Sequence, residues 1–512
     1  MKTQWIVLGA LSVILSGLLI AYYCEATGDY FEDKNHWFAS ARSELKSALN
    51  LNLVTNHARS AILFVGDGMG PNTVTASRIL RYDEGGLLSF EKFPHIGLLK
   101  TYCVNKQVPD SASTATALFC GSKTNYETSG VDANVELKDC PASMKPQSRL
   151  ESIIGWAQRT GKSTGFVTTT RVTHATPSAL YSHTADRRWE CEAKMNNITG
   201  DCEDIAVQLV RREPGKNINV IMGGGRQCLV SNSNGSDADP IDTWACISKD
   251  GRDLISEWKK DKKERKIKHT VVQNTAELQN IDPSETDYVF GIFANGHLKY
   301  EVERDKSPQG MPSLKEMTDA AIKILQKNKN GFILVVEGGL IDQAHHRGTA
   351  ARALYETLAL DDAVASAVEL TKPQEDTLIV VTSDHSHTLS INGYPKRGNH
   401  ILDVGSKSRF DDKPYTTLTY ATGGPGSSQL EPNGRRDPSQ DNTRDPMYQQ
   451  QALVETDENT HGGNDVLVYA KGPFAHLFHS VHEQSYVAHA IGYATKIGPY
   501  LYCVPGVHPH GC

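Results

Sequence analysis

Phe332-Ile-Leu-Val-Val-Glu337-Gly-Gly-Leu-Ile-Asp342-Gln-Ala-His-His346 is the stretch from which the fold can be read. Five apolar residues run without a polar break and then meet Glu337 and two glycines. A continuous apolar run of about five residues suits a strand covered on both faces, as in a parallel sheet. The pattern recurs. Ala61-Ile-Leu-Phe-Val65 runs into Gly66-Asp67-Gly68, Val220-Ile-Met222 into Gly223-Gly-Gly225, and Leu378-Ile-Val-Val381 into Thr382-Ser-Asp384-His385. Asp465-Val-Leu-Val-Tyr469 is a further strand, and helical spacing lies between strands at Leu314–Gln326 and Ala350–Leu370. This alternation predicts an α/β fold with a large, mainly parallel sheet sandwiched between helices. Ligands gather at the carboxyl ends of strands in such sheets. Asp67, Glu337 and Asp384 all stand there. One acid after a strand commonly caps the next helix; three after three strands predict a shared site.

The neighbours of these acids suit metal. Asp342 and His346 are four residues apart and share one helical face. Asp384-His385-Ser-His387 joins a second acid to imidazoles, and Thr460-His461-Gly-Gly463 places a histidine beside glycines that permit close backbone approach. Mixed oxygen and imidazole donors favour zinc. Burying so many carboxylates without cations would be very costly. Pro109-Asp110-Ser111-Ala-Ser-Thr-Ala-Thr-Ala117 passes from a turn into small helix-forming residues. Ser111 is then either a helix N-cap or a nucleophile at a helix start, where free N–H groups favour an anion.

The 512-residue chain is 39% hydrophobic and 22% charged, with a formal net charge of -7. That balance suits a globular protein and offers no basic surface for nucleic acid. The mostly basic run Lys259–Lys268 reads as a solvated helix face. Residues 1–26, basic at Lys2 and then apolar, read as a signal peptide; the alternative is an uncleaved, membrane-attached N-terminal segment. Ten cysteines fit an oxidising compartment. Cys228 with Cys246, and Cys503 with Cys512, are near enough to close small loops, and Cys120 reads as a buried free thiol. Asn197 and Asn234 begin glycosylation acceptors. The chain ends without the apolar tail that precedes a lipid anchor, which predicts a soluble, secreted protein with no stable membrane anchor. Residues 423–446, dense in Gly, Pro, Ser, Asn and Asp, are either disordered or an elaborated insertion.

Seven motifs in order make the chain resemble the alkaline phosphatases, especially the animal secreted and membrane-attached members. They are Val-Gly-Asp67-Gly-Met-Gly, Pro-Asp-Ser111-Ala-Ser-Thr-Ala-Thr-Ala, Thr-Thr-Arg-Val-Thr-His174-Ala-Thr176-Pro, His183-Thr-Ala-Asp-Arg187, Glu337-Gly-Gly-Leu-Ile-Asp342-Gln-Ala-His-His346, Ser-Asp384-His385-Ser-His387 and Thr-His461-Gly-Gly. The resemblance implies hydrolysis of small phosphate monoesters through a phosphorylated Ser111, with Arg187 gripping the phosphoryl group. It implies two zinc ions, one on Asp342, His346 and His461 and one on Asp67, Asp384 and His385. Asp67 would also reach a magnesium ion held by Thr176 and Glu337, with His174 and His387 supporting the ligands. It further implies a homodimer, an N-terminal helix at Trp37–Leu51 that reaches the partner, and a catalytic domain of residues 27–387 and 457–512. Residues 388–456 would be a crown-like insertion.

One departure stands out. Animal members related to the vertebrate enzymes carry a fourth metal site, assigned to calcium, with a Phe carbonyl and a following Glu carboxylate among its ligands. Here Phe293 is followed by Ala294, and a second family acid falls on Met311. Asp237 or Asp239 offers one acid in exchange, too few for an ion that relies on carboxylates. The expectation is therefore no fourth metal, with residues 228–300 held by packing and a Cys228–Cys246 bridge.

Overall fold

The computed structural model describes residues 32–502 except 197 and 433. The signal-peptide reading of residues 1–26, the Asn197 acceptor, the Cys503–Cys512 loop and the C-terminal tail lie outside the described residues. Two compact units are present. The smaller contains helix α1 (Lys34–Leu49) and Tyr394–His400. Asp33 caps α1 by accepting from the N–H groups of Asn35 and His36. Glu32 pairs with Arg397 at 2.5 Å. None of the α1 side chains is buried, and Trp37 and Phe38 are more than half exposed.

The larger unit is built on a sheet of ten strands among the described residues. They are β1 (Ser60–Gly66), β2 (His95–Lys100), β3 (Ser163–Arg171), β4 (Val220–Gly224), β5 (His269–Val272), β6 (Tyr288–Ile292), β7 (Phe332–Gly338), β8 (Thr377–Ser383), β9 (Val466–Lys471) and β10 (Ser480–Glu483). Their order is β10-β2-β9-β8-β1-β7-β3-β4-β6-β5. Only β9 runs against its neighbours, β2 and β8. Every residue of β1 and β7 is buried, as the unbroken apolar runs require. Successive β1 side chains feed two cores. Ala61, Leu63 and Val65 join the layer containing helix α2 (Ser111–Cys120); Ile62 and Phe64 join the layer containing α3 (Leu314–Leu325) and α5 (Ala350–Thr371). Each fully buried aliphatic or aromatic side chain contributes about 1.5–3 kcal/mol.

The topology does one thing for function. β8, β1 and β7 are adjacent and parallel, with Val65 opposite Glu337 and Gly66 opposite Ser383. Three acids distant in sequence therefore meet at one edge. β2, β3, β5, β6 and β10 have no counterpart in the sequence reading. β3 is threonine-rich, and its polar threonines mask a run that burial and β-branching nonetheless make a strand.

Leu389–Ile391, Leu418–Gly423 and Ala452–Glu455 make a small sheet, and two short ribbons flank it. Leu389, Leu418 and Tyr420 pack with Ala350 and Leu354 of α5. The basic run also needs amendment. Most of Lys259–Lys268 is solvated, but Lys262 is fully buried and donates to the carbonyl of Lys216 and to Asp261 at 2.7 Å each.

The cysteines correct one expectation. Cys246 is bonded to Cys191, not to Cys228, and Cys140 is bonded to Cys202. Cys228 is a buried free thiol beside the Cys191–Cys246 bridge, and Cys120 is buried and free as expected. Sequence proximity favoured Cys228, but the chain after β3 returns Cys191 to the same place. Replacing Cys191 and Cys246 together by serine should destabilise the protein by about 3–4 kcal/mol, since the bridge closes a 55-residue loop. Cys228→Ala should cost only about 1 kcal/mol. Denaturant unfolding reads both, and a peptide linking 228 to 246 would overturn the assignment.

Candidate active site and metal centre

Helix α2 begins at Ser111. Asp110 caps it, accepting from Ala112 and Ser113 N–H groups at 3.1 and 3.4 Å. Ser111 is buried, and its hydroxyl lies 3.3 Å from Asp67 Oδ1 and 3.2 Å from His385 Nε2. The cap and nucleophile readings thus separate: Asp110 is the cap, which frees the Ser111 hydroxyl to face the acids. Asp110 also accepts from Arg187 Nη1 at 3.2 Å. Arg187 is mostly buried and also lies 3.3 Å from His174 Nε2, whereas Arg188 is half-exposed and pairs with Asp186 and Glu127.

Asp342 and His346 lie on helix α4 (Leu340–His346), which starts just past β7. His346 Nδ1 donates to the Asn459 carbonyl and His461 Nδ1 to the Pro109 carbonyl, at 2.8 Å each. Both rings thereby present Nε2 inward. The two Nε2 atoms are 3.1 Å apart, and each is 3.3 Å from Asp342 Oδ1. Likewise His385 Nε2 lies 3.3 Å from both Asp67 Oδ1 and Asp384 Oδ2. Gly68 makes the close packing possible. Its φ is 70°, a Cβ there would come 2.7 Å from His387, and its N–H donates to Asp384 at 3.0 Å.

Three groups of potential ligand atoms result, each lying within 4.8 Å of one another. They are Asp342, His346, His387 and His461; Asp67, Asp384 and His385; and Asp67, His174 and Glu337. All the acids and histidines expected at the site are thus brought together. His174 and His387, read as supporting residues, come within ligand range. Thr176 Oγ1 reaches Asp67 Oδ2 at 3.5 Å.

The electrostatics ask for cations. Burial, reinforced by Asp384, Asp342 and Glu337, pushes the Asp67 carboxyl well above the usual range. Burial likewise pushes Glu337 up to about 7 and Asp384 to about 6. Asp342 goes the other way: despite burial, His346 and hydrogen bonds from three imidazoles hold it well down. Glu337 Oε1 and His174 Nδ1 are buried without a hydrogen-bond partner. Unpaired acceptors, clustered carboxylates and inward Nε2 atoms fit divalent metal ions. In the metal-stripped protein Glu337 and Asp384 then contribute less stability as pH rises, while His174, His385 and His387, held below their ordinary range by burial, contribute more up to about pH 6.5. Glu337 and Asp384 keep protons in the fold that an unfolded chain releases near pH 4. Their stabilising contribution is full below that pH and gone above about 7.

The sequence reading missed several contributors. Thr168 and Thr170 on β3 donate to Glu337 Oε2, and Thr114 Oγ1 donates to Asp384 at 3.0 Å. Tyr420, on the strand Leu418–Gly423, meets His345 Nδ1 at 2.7 Å, and His345 Nε2 meets Thr73 Oγ1 at 3.0 Å.

The alkaline phosphatase family model matches residues 58–497. The tissue-nonspecific alkaline phosphatase isozyme of Rattus norvegicus is 44% identical over 481 residues, covering 92% of this chain and 90% of the relative. The chain belongs to the alkaline phosphatase family. The alkaline phosphatase of Gadus morhua is 44% identical over 473 residues, covering 90% of this chain and 97% of that one. The membrane-bound alkaline phosphatase of Bombyx mori is 41% identical, covering 86% and 81%. Among solved structures, alkaline phosphatase from Thermus thermophilus has a TM-score of 0.60 at 22% identity, covering 87% of this chain and 93% of that one. At that identity the likeness concerns the fold, which is the mainly parallel sheet between helices described above. The family's activity is hydrolysis of phosphate monoesters with metal cofactors, and this chain is an enzyme of that class.

Proposed function

We propose that the chain hydrolyses small phosphate monoesters through a phosphorylated Ser111. The observation that carries this is the Ser111 hydroxyl, buried at a helix start and within 3.3 Å of ligand atoms from both Asp67 and His385. Asp342, His346 and His461 would hold one zinc ion, and Asp67, Asp384 and His385 a second. Thr176 and Glu337, with Asp67, would hold magnesium. Bound there, these ions supply the positive charge that favours a serine alkoxide and stabilises attacking and leaving oxygens.

The chain's own residues do the rest. Ser111 Oγ attacks phosphorus as the ester oxygen leaves, forming the Ser–O–P bond and breaking the substrate P–O bond. Water then displaces Ser111 from phosphorus, releasing phosphate and restoring the hydroxyl. Two in-line displacements leave the configuration at phosphorus unchanged. Arg187, fixed by Asp110, presents its planar fork to two phosphoryl oxygens. The free N–H groups at the start of α2 add a favourable field for the anion. Assaying an aryl phosphate, an aryl sulfate and a phosphodiester, each with and without chelator, tests the reading. Chelator-sensitive turnover of the phosphate by about 10²-fold or more above the others is expected; preference for sulfate or diester would sink it.

Secretion and a homodimer belong to the same proposal. The disulfides fit an oxidising compartment. No described helix is long and apolar enough to cross a membrane. The uncovered Trp37, Phe38, Leu45 and Leu49 of α1 support a partner subunit, and light scattering that reads a monomer would remove that part. Residues 388–456 would be the crown-like insertion at that interface.

A further inference from the structure

Arg187 is backed by two imidazoles and a second guanidinium. Arg171 ends β3 and is buried. Its Nε and Nη2 donate to the two carboxylate oxygens of Glu190 at 2.8 Å each. Its Nη1 donates to Asp242 Oδ2 at 2.9 Å and to His297 Nε2 at 2.8 Å. The rings of His297 and His174 then meet edge to face, with centroids 5.2 Å apart. His174 Nε2 lies 3.3 Å from Arg187 Nη2, and Arg187 Nη1 donates to Asp110 Oδ2 at 3.2 Å. The contacts thus run from Glu190 through Arg171, His297 and His174 to Arg187.

Each link is held by the one behind it. The bidentate pair with Glu190 fixes the plane of the Arg171 guanidinium. Arginine only donates, so His297 Nε2 accepts and the ring is neutral. Desolvation, and after it Arg171, holds the His297 pKa well below its ordinary value, in keeping with that role. The Nδ1 atoms of His174 and His297 are both buried without a hydrogen-bond partner among the described residues. The orientation of each ring therefore rests on one guanidinium contact and on the contact between the rings, whose edge-to-face geometry the aromatic quadrupole favours. The backbone brings the two rings to one place. The His174 N–H donates to the Arg171 carbonyl at 2.9 Å, and the Leu298 N–H to the Thr169 carbonyl at 3.0 Å.

We infer that His297, anchored by Arg171, is a positioning residue for phosphate binding: it backs His174, and His174 holds the Arg187 fork in the plane that meets phosphate. The inference rests on the reading of Arg187 as the group that grips the phosphoryl oxygens. Asp110 alone would hold Arg187 at one nitrogen and leave the guanidinium free to turn about that contact. The second contact, at Nη2, fixes the plane, and a planar fork binds two oxygens only when its plane is right. His297 acts through His174 and Arg187, not on phosphate itself. A small misplacement of a binding group is enough to weaken binding many-fold.

The test uses the full-length protein loaded with zinc and magnesium, with inorganic phosphate as a competitive inhibitor of aryl phosphate turnover. His297→Ala should raise the phosphate inhibition constant and KM about tenfold. Because the lost contact serves substrate and transition state alike, kcat should stay within about threefold. Metal content should be unchanged. His297→Gln, whose amide oxygen can still accept from Arg171, should keep the inhibition constant within about threefold of the wild type. The decisive arm is a double-mutant cycle. In an Arg187→Ala background, His297→Ala should add no further loss, because its effect passes through Arg187. The same tenfold loss in both backgrounds would overturn the inference, as would an unchanged constant in His297→Ala or a loss that tracks missing magnesium. Phosphate binding that survives Arg187→Ala would sink the reading of Arg187 and the inference together. Binding weakened by Arg187→Ala but not by His297→Ala would sink the inference alone. Should His297→Ala fail to fold, Glu190→Gln takes its place in the same cycle, since it loosens Arg171 and removes no atom of either ring.

Discussion

Ser111→Ala is expected to lower turnover of an aryl phosphate by at least about 10³-fold while leaving the fold intact. The substitution removes one oxygen, whose contacts are with Asp67 and His385. It keeps the Asp110 cap, the buried helix α2 and the arginine that Asp110 fixes. Alanine is also the better helix former, so thermal unfolding should be unchanged or slightly higher. The decisive readout is covalent. Acid-quenched protein incubated with radiolabelled phosphate should carry label in the wild type and none in the variant. Wild-type-like turnover, or label on another residue, would show that Ser111 is only the start of a helix.

The second large effect is expected from Asp342→Ala. Asp342 is the shared partner of His346, His387 and His461, with contacts of 2.6–3.3 Å. Despite burial, it raises the His346 pKa to about 9 in the absence of metal. Its loss removes the charge that makes three inward imidazoles a ligand set. Elemental analysis should show one zinc fewer per subunit, and turnover should fall by about 10²–10⁴-fold. Glu337→Gln should instead weaken magnesium, since Glu337 lies in a different group of potential ligands. Two zinc ions and full activity in Asp342→Ala would mean that the grouping by geometry misassigns the ligands.

Much of this site was legible because its acids follow apolar runs. Asp67, Glu337 and Asp384 could be placed at strand ends from β1, β7 and β8 alone, and Asp342 and His346 from helical spacing. Pairing was another matter. Nothing in the sequence says that β1 lies between β7 and β8, and only the resemblance assigned ligands to ions. The threonines that hold Glu337 were hidden because β3 reads as polar. Asp110 was in view, but its double role as helix cap and arginine anchor needs the turn of chain that returns Arg187 to it. Tyr420 comes from the polar stretch 388–456 and Asn459 from just beyond it, neither with a periodicity to follow. Cys246 was misassigned because proximity in sequence is a weak guide where 55 residues fold back on themselves.

The meeting of β8, β1 and β7 also orders events in time. Gly68 and Asp384, joined by a hydrogen bond, are 316 residues apart in sequence. Contacts so distant are closed only after the chain has already surrendered much of its freedom. No fragment from the first half of the chain owns a complete ligand group, because every group includes residues of the second half and one, Asp342, His346, His387 and His461, lies wholly within it. Metal uptake is therefore a finishing step: ions arriving early find scattered carboxylates, and ions arriving late find a finished sheet edge and lock it by mass action. A nascent chain short of metal would wait as a folded but unlocked protein, and its lifetime in that state is set by the supply of metal ions.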